Sequence, residues 1–261
     1  MFFRKRPISP EVGRFYFPES DLSPIGLLDT DYDLTVYIPT KGRPENALRL
    51  QQQFKDTARL NTRPIFILSD NDARFRDYKN LDFTLVVSPN KPGFVDPLNM
   101  GYLQDRRLHY SYAVGFMGDD HFPRTLGWDE RIVEALQELK SGFVYGNDKF
   151  QEQSIPTQVF MTADIPLELG FMTLPQLKHL YADNFWLDFG KALGKITYLP
   201  DVIIEHLHPA AGKAKHDAGY EFSGNFLLDQ EDKKAYYEYL KCNLEGDVMN
   251  VLAMLRRTGK L

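Results

Sequence analysis

The sequence predicts an α/β protein whose central sheet is covered by helices on both sides. Short apolar, β-rich runs recur at 34–38, 64–68 and 83–87, helical or loop segments separate them, and each run ends in a polar turn. Leu34-Thr-Val-Tyr-Ile38 stops at Pro39, and Arg43-Pro44 leads into a helix with Ala47, Leu48, Leu50 and Phe54 on roughly one side. Pro64-Ile-Phe-Ile-Leu68 closes in Ser69-Asp70-Asn71-Asp72, and Phe83-Thr-Leu-Val-Val87 closes in Ser88-Pro89-Asn90. In open sheets of this kind the crevice beyond the carboxyl ends of the strands receives ligands, which gathers Thr40, Arg43 and Asp70.

Further along, Tyr112-Ala-Val-Gly-Phe-Met117 reads as a strand running into Gly118-Asp119-Asp120-His121. Helical spacing follows from Trp128 to Lys140 and stops at Ser141-Gly142. Strands are expected at 143–145, 158–161, 196–199 and 201–208, and helical stretches at 174–181 and 185–193. A terminal helix over Gln230 to Arg257, broken near Gly246, is expected to pack Val248, Val251, Leu252 and Leu255 on its own domain. Residues 1–33, with Pro7, Pro10, Pro18 and Pro24, read as an irregular arm. The core domain is expected over 34–209, and a lid loop with a helical segment over 210–261.

Bulk composition narrows the function. With 261 residues, 43% of them hydrophobic, the chain can bury a sizeable core. The net charge of −5 argues against a general nucleic-acid binder, which needs a basic face. Cys242 is the sole cysteine, so neither an internal disulfide nor a Cys-based zinc site is expected, and a reducing cytoplasm fits. Neither a leader nor an apolar run of membrane-spanning length is read.

Three features can carry chemistry. Asp119 and Asp120 sit at a strand end, where adjacent carboxylates repel and call for a cation; a hard divalent metal chelated by a diphosphate supplies one, and capping of the following turn is the plain alternative. Glu205-His-Leu-His-Pro209 closes a strand, and alternation puts His206 and His208 on one face, where an imidazole beside a carboxylate suits Mn²⁺ better than Mg²⁺. Asp183, in Tyr181-Ala-Asp-Asn-Phe-Trp-Leu-Asp188, fits either a helix first turn or a general base.

In this order the pieces resemble family 2-like glycosyltransferases of the GT-A fold, from about Leu34 to Pro209. The resemblance implies one continuous Rossmann-like mixed sheet flanked by helices, with a nucleotide-sugar half over about 34–122 and an acceptor half over about 123–209. It implies a donor pocket lined by Pro39, Thr40 and Arg43, with Asp70 against the nucleotide base and Asn99 beside the donor. Gly118-Asp-Asp120 stands in the place of the DxD motif, with Asp120 on the metal and Asp119 on ribose or sugar, although Met117 replaces the first acid. Ala182-Asp183 stands where the Glu-Asp pair does, which makes Asp183 the base of an inverting hexosyl transfer; His206, with His208 as its rival, completes the metal site. Lys213 or Lys215 would close over the phosphates. The stretch from Glu205 to Asp217 is similar to bacteriophage glycosyltransferases, which implies the host cytoplasm.

The implied cofactor is Mn²⁺ or Mg²⁺, the donor a nucleotide-diphosphate sugar, and the acceptor a protein or glycan in preference to a modified DNA base. Two other readings stay open: a non-catalytic sugar- or nucleotide-binding module, and a nucleotidyltransferase, against which the absence of a G-x-G after the first strand speaks.

Overall fold

The computed structural model describes residues 31–107 and 109–261, so residues 1–30 of the arm expected over 1–33 lie outside the described residues. The described strands are β1 (Tyr32–Thr40), β2 (Thr62–Ser69), β3 (Thr84–Val87), β4 (Ser111–Phe116), β5 (His121–Pro123), β6 (Phe143–Asn147), β7 (Val159–Thr162) and β8 (Ile196–His206). The helices are α1 (Pro44–Thr57), α2 (Val95–Asp105), α3 (Trp128–Leu139), α4 (Asp164–Leu169), α5 (Ala182–Leu193), α6 (Ala218–Ser223), α7 (Phe226–Cys242) and α8 (Leu244–Arg257).

The strands form one sheet in the order β3-β2-β1-β4-β7-β6-β8-β5. β1 pairs in parallel with β2 and β4, and β2 with β3. β7 enters antiparallel between β4 and β6, and β5 pairs antiparallel with β8 at the edge, so the sheet is mixed. The chain winds outward from β1 through β2 to β3 and then returns to β1's other side as β4. That reversal leaves a crevice beyond the carboxyl ends of β1 and β4.

Both faces of the sheet are covered. On one, Leu50 and Phe54 of α1 meet Trp128, Ile132 and Leu136 of α3, with the Phe54 and Trp128 rings edge to face at 5.2 Å. On the other, Leu98 of α2 and Phe185, Trp186 and Phe189 of α5 pack with Val248, Val251, Met254 and Leu255 of α8. The last helix therefore buries its apolar stripe on its own chain, where each fully buried large side chain contributes about 1.5–3 kcal/mol.

Three expectations need correction. Residues 174–181 form no helix: the segment follows an irregular path in which Asp232 of α7 accepts the backbone N–H groups of Lys178, His179 and Leu180. Those bonds satisfy backbone N–H groups that a helical ladder would otherwise have paired. The two strands expected between 196 and 208 are a single β8 ending at His206, with a register shift against β6 at Gly146/Asn147. The terminal helix breaks at Asn243 rather than at Gly246, which lies inside α8.

The junction of α1, β2 and α3 depends on one carboxylate. Asp129 is fully buried and accepts from Arg59 N at 3.0 Å, Leu60 N at 3.0 Å and Thr62 Oγ1 at 2.6 Å. Asp129→Ala leaves these donors unsatisfied and is expected to cost about 3 kcal/mol, read as a lowered midpoint in urea unfolding with an unchanged slope.

Candidate functional site

The crevice is lined first by the turn after β1. Thr40 ends the strand, and its hydroxyl donates to Asp119 Oδ2 at 2.6 Å. Gly42, at φ +72°, gives its N–H to Asp72 Oδ2 at 2.7 Å, which ties this turn to the one after β2. Arg43 then reaches back over the sheet end, with Nη1 3.2 Å from Asp119 Oδ1 and 3.6 Å from Asp120 Oδ2. Pro39 is a half-buried residue within β1.

The paired aspartates follow β4 after Met117 and Gly118, and both are buried. Gly118 is needed here: a Cβ on it would lie 2.6 Å from Asp120 Oδ1 and 3.0 Å from His121 Nδ1. His121 begins β5, whose antiparallel ladder sets it directly opposite His206 of β8. Side chains opposite each other in such a ladder are near neighbours. The two imidazoles stack with centroids 4.2 Å apart, and Asp120 Oδ1 lies 3.4 Å from His121 Nδ1 and 3.6 Å from His206 Nε2.

Asp120, His121 and His206 thus bring ligand atoms within 4.8 Å of one another. The three are not equivalent. His121 Nδ1 already accepts the Gly118 N–H at 3.0 Å, and that bond uses the only lone pair this nitrogen has. Asp120 Oδ1 and His206 Nε2 are the atoms left to face a cation.

Burial pushes the Asp119 carboxyl up, with Asp120 adding to it. For Asp120 burial works in the same direction, but the neighbouring imidazoles outweigh it and hold this carboxyl below its usual range. Burial lowers His121, while for His206 the Asp120 and Asp148 carboxylates more than offset burial and raise it. The pair divides into one carboxylate that stays ionised and one that resists ionisation.

Asp183 lies in the first turn of α5, half-buried, in the electrostatic field of His206 and Asp148. Burial raises its carboxyl to about 7. Among the described residues it accepts no side-chain hydrogen bond. Its placement starts at Tyr181, a non-glycine residue at φ +64° whose hydroxyl is tied to Asp229 Oδ1 at 3.0 Å and whose ring stacks on Tyr236. Helix α7 therefore sets the angle at which α5 enters the crevice.

Residues after β8 cover the site. Asp217 takes Arg43 in a two-pronged ion pair, Nε to Oδ2 at 2.7 Å and Nη2 to Oδ1 at 2.6 Å. Tyr220 of α6 donates its hydroxyl to Asp120 Oδ2 at 2.6 Å, and its ring lies 4.3 Å below the Arg43 guanidinium carbon. Beside this contact a cleft of about 380 Å³ is lined by Arg43, Arg49, Asp120, Lys213, Lys215 and Tyr220 among others.

The remaining residues singled out from the sequence sit in different places. His208 lies beyond the strand, where its Nδ1 accepts Ala210 N at 3.1 Å and its ring stacks on Phe150 next to His206. Lys213 pairs with Glu205 at 3.0 Å while lining the cleft. Asp70 is exposed and accepts from Ser88 Oγ. Asn99 is buried, with its oxygen on Met172 N and Thr173 N and its amide on Thr173 O, which joins α2 to the segment before α5. Sequence reasoning passed over His121, Asp148, Asp217 and Tyr220. His121 abuts the paired aspartates and was within reach; Asp217 ends the stretch similar to bacteriophage glycosyltransferases but had no role assigned, and Asp148 and Tyr220 come from distant segments without a motif.

The sheet order, the reversal of winding at β1 and β4 and the antiparallel β7 make this a GT-A-type fold. Neither family models nor curated protein sequences match the chain. Among solved structures it is similar to S. aureus TarS 1–349 in complex with UDP-GlcNAc, at TM-score 0.59 and 13% identity, over 81% of this chain and 67% of that one. It is similar to the mannosyltransferase PcManGT from Pyrobaculum calidifontis in complex with GDP-Man and Mn²⁺, at TM-score 0.52 and 12% identity, over 87% and 75%. Against another structure of TarS 1–349 the TM-score is 0.52 at 13% identity, and the match spans 66% of this chain and 59% of that one. At such identities the likeness is one of fold.

Proposed function

We propose that the protein is a metal-dependent glycosyltransferase that moves a sugar from a nucleotide-diphosphate donor to an acceptor hydroxyl with inversion. The observation that carries this is the convergence of Asp120, His206 and Arg43 beside a half-buried carboxylate, Asp183, at the crevice between β1 and β4. Two neighbours of the same fold bind what their names state, UDP-GlcNAc and GDP-Man with Mn²⁺, and this supports a sugar-nucleotide donor here.

The residues suit a divalent cation: one carboxylate oxygen and one imidazole nitrogen face each other without an intervening donor, a set that favours Mn²⁺ over Mg²⁺. When bound, such an ion stabilises the negative charge that builds on the departing diphosphate. Arg43 supplies a fixed positive charge to the same phosphates once Asp217 lets it go. Asp119, held by Thr40 and Arg43, faces the ribose or sugar. Asp183 accepts the proton of the acceptor hydroxyl as that oxygen bonds to the anomeric carbon and the bond from that carbon to the diphosphate oxygen breaks, releasing nucleoside diphosphate. An acid raised to about 7 is matched to that proton transfer at neutral pH.

A thermal-shift screen against UDP-, GDP- and CMP-sugars, with and without Mn²⁺, tests the donor. One nucleotide sugar is expected to raise the melting temperature only when Mn²⁺ is present. No response to any donor with any metal would remove the transferase reading and leave a binding module.

A further inference from the structure

We infer that Asp148 is the positioning residue of this site, orienting both imidazoles so that His206 turns Nε2, and not Nδ1, toward Asp120. The inference rests on the metal-site reading above. Asp148 directly follows β6 and is buried, and its two oxygens have separate partners. Oδ1 accepts the N–H groups of Phe150, Gln151 and Glu152 at 2.9, 2.7 and 2.8 Å, which folds the loop. Oδ2 accepts the Thr157 hydroxyl at 2.8 Å and faces His206 Nδ1 at 3.9 Å.

The hydrogen bonds fix where the protons lie. His121 Nδ1 accepts from Gly118, so the His121 proton is on Nε2, which meets Thr157 Oγ1 at 3.3 Å. Thr157 can receive it because its own proton goes to Asp148. His121 is thereby anchored to Asp148 through one hydroxyl. His206 Nδ1 is buried and has no hydrogen-bond partner among the described residues. Buried ring nitrogens take partners, and the Asp148 Oδ2 beside it keeps a second lone pair besides the one that takes the Thr157 hydroxyl. Main-chain pairing already holds the two residues together, His206 N to Asp148 O at 2.9 Å. With Nδ1–H directed at Asp148, the lone pair of Nε2 faces Asp120 Oδ1 at 3.6 Å. A carboxylate on the far nitrogen of a ligating histidine sets its tautomer and raises its basicity.

Asp148→Asn separates this role from loop folding. Asparagine keeps the oxygen that receives three backbone N–H groups and replaces the other with an amide donor that opposes the Thr157 hydroxyl and His206 Nδ1–H. Binding of Mn²⁺ alone, with no donor present, is measured by electron paramagnetic resonance. Asp148→Asn is expected to weaken it about 10- to 100-fold while lowering the melting temperature by a few degrees, because buried donors then oppose one another, and Thr157→Val is expected to weaken it by less. In Zn²⁺-loaded wild type, long-range ¹⁵N–¹H spectra are expected to show the His206 proton on Nδ1, and this reading stands even if the variant does not fold. Undiminished Mn²⁺ affinity in folded Asp148→Asn, or a proton on Nε2 of His206, overturns the positioning role and leaves the donor reading intact. A wild type that binds Mn²⁺ neither alone nor together with a nucleotide diphosphate removes both.

Discussion

Asp183→Asn is expected to lower kcat by about a thousandfold while leaving donor affinity near wild type. Asparagine matches the carboxylate in shape, so the first turn of α5 and its packing persist, but it has no lone pair able to take a proton at neutral pH. The metal-facing atoms belong to other elements, so donor and Mn²⁺ binding read by thermal shift stay in place. Equal losses in donor binding and turnover would instead make Asp183 a structural residue of the helix start. The pH profile carries the sign of the same argument. Burial raises the Asp183 carboxyl to about 7, so the active, ionised form is depleted as pH falls through that value. Turnover is expected to rise toward neutral and alkaline pH along an acid limb near 7, and Asp183→Asn is expected to flatten that limb.

The second large effect belongs to Asp120. Asp120→Ala removes the carboxylate that the neighbouring imidazoles keep ionised against the effect of burial, and with it the acceptor of the Tyr220 hydroxyl. Loss of metal-assisted charge stabilisation is worth about 4 kcal/mol, roughly a thousandfold in rate. Mn²⁺-dependent thermal stabilisation by the donor is expected to vanish with it. Unlike Asp183→Asn, this variant loses binding and turnover together, and that contrast separates the two carboxylates. Persistence of Mn²⁺-dependent donor binding in Asp120→Ala would transfer the metal to other ligands.

The parts of the fold that were legible are those written in local pattern. β1, β2 and β4 are apolar runs ended by polar turns, and α3 shows a clean helical stripe from Trp128 to Leu136. The mixed sheet was reached through the resemblance rather than from spacing, because Val159–Thr162 carries no mark of its direction or of its neighbours. Residues 174–181 misled for a similar reason. Leu174 and Leu177 fit helical spacing, yet a carboxylate from α7 organises that segment, and nothing nearby announces Asp232. Within the site, Asp119, Asp120, His206 and Arg43 were visible at strand ends and do meet. Asn99, expected beside the donor, is hydrogen-bonded to the backbone of Met172 and Thr173. Asp148, Asp217 and Tyr220 were illegible because their partners are set by how strands and loops lie in space.

The histidine pair has one further consequence, which concerns folding. His121 and His206 face each other across β5, a three-residue strand at the sheet edge that pairs with the end of β8. Side chains alternate along a strand, so a slip of one residue would carry an imidazole to the opposite face and set His121 against Glu205 or Leu207. Phe122, the middle residue of that short ladder, is buried in the core, as is Ile204 of the facing strand. The same slip would pull the Phe122 ring off the face on which it packs, so the core itself penalises a wrong register. Seating one aromatic ring and aligning two imidazoles are therefore a single event, and hydrophobic packing selects the geometry of a polar site to which it contributes no ligand.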